Sequence, residues 1–203
     1  MATAILALDW REGQADTPEK WIFHVLRREA EAMILPNLAA FLQGSNQPRN
    51  NDERMALLGV CQFKGRYLAA ARLYADGFAA DPKLNDDPNS RNLYKAAICA
   101  ALAGSGRSED GANLGESERM NWRKQARDWL RADLDYLAKR SEQNDPGFRE
   151  FSLGILKRWS FEHDLDGLRD PAALEKRNSS ERQECQKLWS DVEAAIERIE
   201  HLK

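Results

Sequence analysis

The sequence predicts an all-helical protein, and three observations support this fold class. Apolar residues recur at intervals of three and four, as in Leu188, Val192, Ala195 and Ile199, and no segment shows the strict alternation of a half-buried strand. Several of these segments begin with a capping residue and a proline or end at a glycine. The 203 residues are 42% hydrophobic and 31% charged, which suits a folded helical chain rather than a disordered one.

The first 44 residues are expected to form N-terminal helices. Thr17 and Pro18 form a cap followed by a proline at the first helical position, and Leu35-Pro36 ends the helix that they open. A short helix over 37–43 follows and ends at Gly44. One side of the first helix carries its apolar residues, Trp21, Ile22, Val25, Leu26, Met33 and Ile34.

A pair of helices is predicted over 52–63 and 66–80, after a polar segment that contains Pro48. The small Ala70 lets the two helices approach closely, and Tyr74 fills the space against the next pair. The spacing of the marker residues resembles a tetratricopeptide repeat; they are Leu57, Gly65, Tyr67, Ala70, Tyr74 and Pro82, and Leu58 and Cys61 depart from the motif.

A second pair is predicted within 94–140. One helix carries Tyr94, Ala97 and Ala101 and ends at Gly104. A long helix over 118–140 follows, in which Ala126 and Leu130 repeat the spacing of a small residue and a large one seen at Ala70 and Tyr74. The intervening segment 105–117 is about a dozen residues longer than a usual repeat turn. It is expected either to carry function or to be an inert insertion.

The remaining residues, 145–203, are expected to form a helical C-terminal cap that packs with the rest as one domain. Asp145-Pro146 opens a helix through Trp159, and Asp170-Pro171 opens a short one. Ser180-x-x-Gln183 has the pattern of a capping box ahead of the last helix. The sequence therefore predicts a short tetratricopeptide-like helical-repeat solenoid with a cap.

Five segments, in this order and spacing, are similar to the C-terminal helical-repeat region of large bacterial serine/threonine protein kinases: Leu38–Pro48, Gly65–Leu84, Tyr94–Gly104, Arg123–Leu134 and Asp164–Leu174. The resemblance covers 35 to the end and implies a regulatory or scaffolding role in kinase signalling. The glycine-rich loop and the H-R-D and D-F-G motifs of a kinase domain do not occur in these 203 residues. The region is therefore expected to be a fragment of a longer protein or a separate small protein.

A basic stripe along the long helix is the candidate partner-binding site, and it consists of Arg119, Arg123, Lys124, Arg127 and Arg131. Like charges four residues apart repel, so the stripe predicts an acidic partner. Arginine forks match an acidic peptide, a C-terminal carboxylate or a phosphate. The alternative is a solvated face that pairs with Glu109, Asp110 and Glu116 in the preceding segment.

Other kinds of site have weaker support. A formal net charge of −3 and tryptophans on the apolar side disfavour RNA binding. The segment 164–170 resembles a calcium loop only faintly, since Gly167 falls at its fourth rather than its sixth position. Cys61, Cys99 and Cys185 lack metal-ligand spacing and fit buried packing positions. We expect no catalytic residue, no cofactor and no metal.

The expected function is a non-catalytic protein–protein interaction module that binds a protein or peptide. The alternative is a stand-alone adaptor, or a subunit that regulates an effector, docking through the basic stripe. Residues 2–8 are apolar but lack a basic start, and no apolar stretch approaches the roughly 20 residues of a spanning helix. A cytoplasmic location without membrane contact is expected; the oligomeric state is left open.

Overall fold

The computed structural model of the chain describes residues 29, 40–41, 47–85, 90–143 and 145–201, and these ranges are helical without any strand. Most of the predicted N-terminal helices of 1–44, including the one opened by Thr17 and Pro18, lie outside them. No helix within the ranges is both long and apolar enough to cross a membrane.

The helices are α1 Asn51–Phe63, α2 Tyr67–Ala80, α3 Asn92–Gly104, α4 Glu116–Ser141, α5 Pro146–Trp159, α6 Asp166–Arg169, α7 Pro171–Leu174 and α8 Ser179–Glu200. Short 3-10 helices lie at Pro82–Asn85, Glu109–Gly111 and His163–Leu165.

Within the described ranges, the helix starts predicted at Asp145-Pro146 and Asp170-Pro171 and the helix end at Gly104 are confirmed, and one predicted capping box is wrong. The boundaries predicted at Thr17, Pro36 and Gly44 lie outside those ranges. Asp145 caps α5, since its side chain accepts a hydrogen bond from Phe148 N at 3.1 Å and Pro146 follows. The capping box predicted at Ser180 is wrong. The cap of α8 is Asn178, whose side chain accepts from Glu181 N at 2.8 Å. This earlier start places Glu181 in the first turn of α8.

Helix α3 lies at the centre of the fold. Eleven of its thirteen residues are buried, so it has no solvent-facing stripe of the usual width. It packs between α2 and α4 and also contacts the His163–Leu165 turn and α6. Alanine dominates its sequence, and these small side chains let four neighbouring elements approach its backbone.

The order of packing is partly sequential. Helices α1 to α4 contact their chain neighbours in turn. Helix α8 instead returns to pack against α4, α5 and α6. One hydrophobic core runs without interruption from Leu57 in α1 to Ile199 in α8.

Two aromatic contacts join elements that are distant in sequence. Phe78 of α2 meets Trp129 of α4 edge to face, with ring centroids 5.6 Å apart. Tyr94 of α3 stacks on Trp159 of α5 at 5.7 Å, with the rings 11° from parallel. Both tryptophans are buried, which agrees with their predicted role in the core.

The start of α3 is fastened to the middle of α4 by Arg91. This residue has a left-handed backbone, with φ of 51°, which is uncommon for a residue other than glycine. Its guanidinium lies 4.5 Å above the Tyr94 ring and donates to Asp133 at 3.1 Å. Burial raises the pKa of Asp133, and the nearby Arg91 opposes that rise. The ion pair therefore offsets part of the cost of burying this carboxylate.

The end of α3 approaches α4 more closely than a side chain would permit. A Cβ atom built on Gly104 would lie 2.9 Å from Arg119 O and 2.5 Å from Arg123 Cγ. The first of these is backbone and cannot move aside. A glycine is therefore required here because of the close helix approach, and the φ of Gly104 is not in the left-handed region.

Replacing Gly104 with alanine is expected to lower the free energy of unfolding by about 2 to 3 kcal/mol, because the added methyl forces α3 and α4 apart. Urea denaturation followed by circular dichroism measures this change. Gly154 provides a matched control, since it lies inside α5 and nothing is within 4 Å of its Cβ position. Gly154→Ala is expected to raise stability by about 0.5 to 1 kcal/mol. A neutral Gly104→Ala would contradict the close approach.

Candidate interaction surface

The basic stripe does not form one exposed surface. Arg123 is 1% exposed, and its guanidinium is fully engaged within the chain. Nη2 donates to Glu181 at 3.0 Å and to Glu116 at 2.7 Å, Nη1 donates to the Gly104 carbonyl at 2.8 Å, and Nε donates to Glu181. The predicted partner-binding stripe therefore includes a side chain that is buried and engaged within the chain.

Arg127 is buried beside it and uses the same carboxylate. Its Nη1 lies 3.5 Å from Glu181 Oε1 and 3.8 Å from Cys185 Sγ, and its Nε has no hydrogen-bond partner. Two buried arginines thus share one buried glutamate, and Glu116 adds a second, largely exposed carboxylate. Opposite charge is needed here because an unpaired buried guanidinium is costly.

The other three members are nearer the surface and also have partners in the chain. Arg131 donates to Glu184 at 2.7 Å, and Arg119 donates to the carbonyls of Leu114 and Ala112 at 3.0 and 3.1 Å. Lys124 pairs with Asp128 at 2.6 Å. Of these three, Lys124 is exposed and Arg119 and Arg131 are half-buried. Whether they bind a partner stays a prediction.

The pKa values follow from these contacts. Burial acts to lower the pKa of Arg123, but the hydrogen bonds and charges of Glu181 and Glu116 outweigh it, so the pKa is raised. The hydrogen bond from Arg123 lowers the pKa of Glu116. Arg123 and Glu116 thus each favour the charged form of the other. Through Arg123, the middle of α4 is joined both to the first residue of α4, Glu116, and to Glu181 of α8.

The segment before α4, predicted as an insertion over 105–117, caps another helix. Asp110 accepts from Leu68 N at 3.2 Å and from Ala69 N at 2.9 Å, which are first-turn donors of α2. The buried Ser108 also accepts from Leu68 N, at 3.1 Å. The residue at the N-cap position, Arg66, supplies no side-chain cap of its own. The segment therefore supplies the side-chain acceptors for the first turn of α2, which a Ser or Asp at the N-cap position usually supplies.

The thiols lie in the interior. Burial raises the pKa of Cys61 to about 12 and also raises the pKa of Cys185. Because the thiolate is the reactive form, burial makes these two thiols poor nucleophiles. All three cysteines are free and buried.

The segment 164–170 does not form a calcium loop. Asp164 and Asp166 pair with Arg107 and Arg169, and Asp170 is the residue before α7. Within the ranges that the structure describes, no group of three His, Cys, Asp or Glu side chains could hold a metal ion.

A solvent-facing side of α5 was not singled out from the sequence, and we call it the α5 outer face. It consists of Gly147, Glu150, Phe151, Gly154, Lys157, Arg158 and, just beyond the helix, Phe161. Every member is exposed, and Phe151 and Phe161 are 44% and 78% exposed. The signal was present in the sequence, since Gly147, Phe151, Gly154, Arg158 and Phe161 follow one another at intervals of four and three.

Aromatic neighbours support one edge of this face. The Phe151 ring lies 5.7 Å from that of Phe148, which in turn meets Tyr136 of α4 at 6.3 Å. Arg140 lies 5.0 Å above the Phe148 ring. Phe151 is therefore held by packing at its base while its outer side meets solvent.

Gly154 is the feature of this face that the fold does not explain. A glycine inside a helix costs about 1 kcal/mol relative to alanine. At Gly104 a close neighbour requires that cost, whereas at Gly154 no atom of the described residues lies within 4 Å of the Cβ position. Because it has no side chain, Gly154 leaves a gap on the α5 surface, three residues after the exposed Phe151 and seven before the exposed Phe161.

Glu181→Gln is expected to lower the free energy of unfolding by at least about 3 kcal/mol, because Arg123 and Arg127 lose their buried counter-charge. Urea denaturation measures the loss. Glu184→Gln, also in the first part of α8, is the matched control, since it removes only the exposed pair with Arg131. That variant is expected to lose no more than about 1 kcal/mol. Equal losses in the two variants would rule out the buried network as the stronger contact.

Asp110→Ala is expected to lower stability by about 1 to 2 kcal/mol, because Ala69 N loses its acceptor and Leu68 N keeps only Ser108. Amide hydrogen exchange at Leu68 and Ala69 should speed up more than exchange in the middle of α2. Replacing the adjacent, exposed Glu109 with alanine should change stability by about 0.5 kcal/mol or less. Unchanged exchange at Leu68 and Ala69 would disprove the capping role.

No protein-family model matches this chain, and neither a curated protein nor a solved structure matches it. The resemblance to kinase regions therefore stays a prediction from the segments that carry it.

Proposed function

We propose that the chain is a non-catalytic protein-interaction module that binds a polypeptide on the α5 outer face. The observation that carries this proposal is the exposed Gly154 between the exposed Phe151 and Phe161. The fold gains nothing from a glycine at this place, but a docked polypeptide would. Without a side chain, the α5 backbone can be approached by another helix at the short end of the usual 8 to 10 Å axial distance.

The chemistry of the face suits protein recognition. Phenylalanine and arginine are enriched in protein–protein interfaces, and aromatic anchors with a supported base dominate binding energy. Phe151 has such a base in Phe148, and Arg158 lies on the same face. Of the three exposed large apolar side chains in the described ranges, two belong to this face and the third is Met120 of α4.

The proposal includes the predicted architecture and setting. Helices α1 to α4 are taken as two tetratricopeptide-like pairs, supported by their sequential packing and by the buried Ala70 and Tyr74. The role is scaffolding or regulation in bacterial serine/threonine kinase signalling in the cytoplasm, and its support is the sequence resemblance alone. The alternative of an adaptor that docks through the basic stripe has less support, because Arg123 and Arg127 are buried.

Site-specific photo-crosslinking tests the binding face. A benzophenone amino acid is placed at Phe151, at Phe161 or at the exposed Ala194 of α8, and the full chain is irradiated in its native cells. We expect polypeptide adducts from the first two positions and not from Ala194. Gly154→Leu, added to the variant that carries the crosslinker at Phe151, should remove the adducts, because the new side chain fills the gap.

The proposal fails if the adducts at Phe151 and Phe161 match those at Ala194, or if no position gives an adduct. Adducts that persist with Gly154→Leu would mean that binding does not use the gap. Circular dichroism of each variant shows whether the helical fold is retained.

A further inference from the structure

The residues of the α5 outer face are arranged symmetrically about Gly154. Glu150 lies four residues before it and Arg158 four residues after it. Phe151 and Lys157 lie three residues to either side. Seven residues before it is a second exposed glycine, Gly147, and seven residues after it is Phe161. Each feature thus has a complementary one at the same distance in the opposite direction.

The charged residues of this arrangement, Glu150 and Arg158, are exposed. Neither Glu150 nor Arg158 forms a side-chain hydrogen bond or an ion pair with any residue in the described ranges. They cannot pair with each other, because eight residues along a helix separate them by about 12 Å. A surface that carries the reverse charge order would complement this pair.

We propose that the occupant of the α5 outer face is a second copy of this chain, with the two α5 helices crossing antiparallel at Gly154. This inference rests on the proposed function, in which the face binds a polypeptide, and it names that polypeptide. A two-fold axis at Gly154 makes the contact isologous, so that each residue meets its complement twice.

The antiparallel arrangement uses every feature of the face. Glu150 of each copy meets Arg158 of the other and forms two ion pairs. Phe161 of each copy lies over the exposed Gly147 of the other, which has no side chain of its own. Phe151 lies against the Lys157 stem of the other copy, and this stem remains available although its ammonium pairs with Glu200 at 2.6 Å.

The size of the face sets the expected strength. A standard protein interface buries about 800 Å² on each partner, whereas a helix of this length offers a strip about 21 Å long. The dimer is therefore expected to be weak, with a dissociation constant on the order of 10 μM. Such a dimer forms or dissociates with the local concentration of the chain.

Charge exchange across the proposed axis gives a direct test. E150R and R158E each place like charges opposite one another in the homodimer, and each is expected to raise the dissociation constant at least about tenfold. An equimolar mixture is expected to dimerise again, because the first variant carries two arginines and the second two glutamates. Sedimentation equilibrium of the full chain, over a concentration range that spans about 10 μM, measures all three.

The control exchanges an exposed charge elsewhere. E193R on α8 should dimerise as the native chain does, and circular dichroism should show an unchanged fold in every variant. Recovery of the dimer in the mixture alone among the charge-reversed samples supports the antiparallel contact. No other register of α5 on α5 places residue 150 beside residue 158 of the second copy at both ends.

Two outcomes would overturn the inference. The native chain staying monomeric to about 1 mM would exclude a second copy as the occupant. A mixture that sediments as two monomers would exclude the proposed register. In either case, adducts to a different protein at Phe151 would leave the binding function in place, whereas no adduct at Phe151 or Phe161 would remove the function as well.

Discussion

Helix α3 can occupy the centre of the fold because it has so little side-chain volume. Its alanines and Gly104 leave room for α2, α4, α6 and the His163–Leu165 turn around one backbone. Larger residues at these positions would push the neighbours outward and open the core around them. The close approach at Gly104 also brings its carbonyl within reach of Arg123, so the packing of small residues decides where the buried charge lies.

The buried charge then fixes the C-terminal helix. Arg123 and Arg127 extend from α4 toward Glu181, which α8 presents in its first turn because Asn178 caps that helix. Hydrophobic contact alone is not directional. A guanidinium that donates to a carboxylate and a carbonyl, in contrast, requires both acceptors to lie in fixed directions. The network therefore selects the register of α8 on α4, and the apolar residues of α8 supply the attraction.

Local signals in the sequence were sufficient to predict where the helices begin and end, but not which charged side chains pair with one another. Pro146, Gly104 and the Ala70–Tyr74 spacing act within one turn, so the helix limits could be predicted closely. Glu181 lies 58 residues from Arg123 in the chain, and only the tertiary fold brings them together. The α5 outer face was not predicted for another reason. The spacing of its residues is visible in the sequence, but the exposure of Gly154 depends on which side of α5 packs against the core.

The cap of α2 has a consequence for the order in which the chain acquires structure. The first-turn donors of α2 at residues 68 and 69 find their acceptor in Asp110, about forty positions later. During synthesis from the N-terminus, α2 is made before its acceptor. Its first turn must remain hydrated until α3 has formed and turned the chain back. The stability of the α1–α2 hairpin is thus acquired in two stages, and a nascent chain that stalls before residue 110 holds an incompletely capped helix.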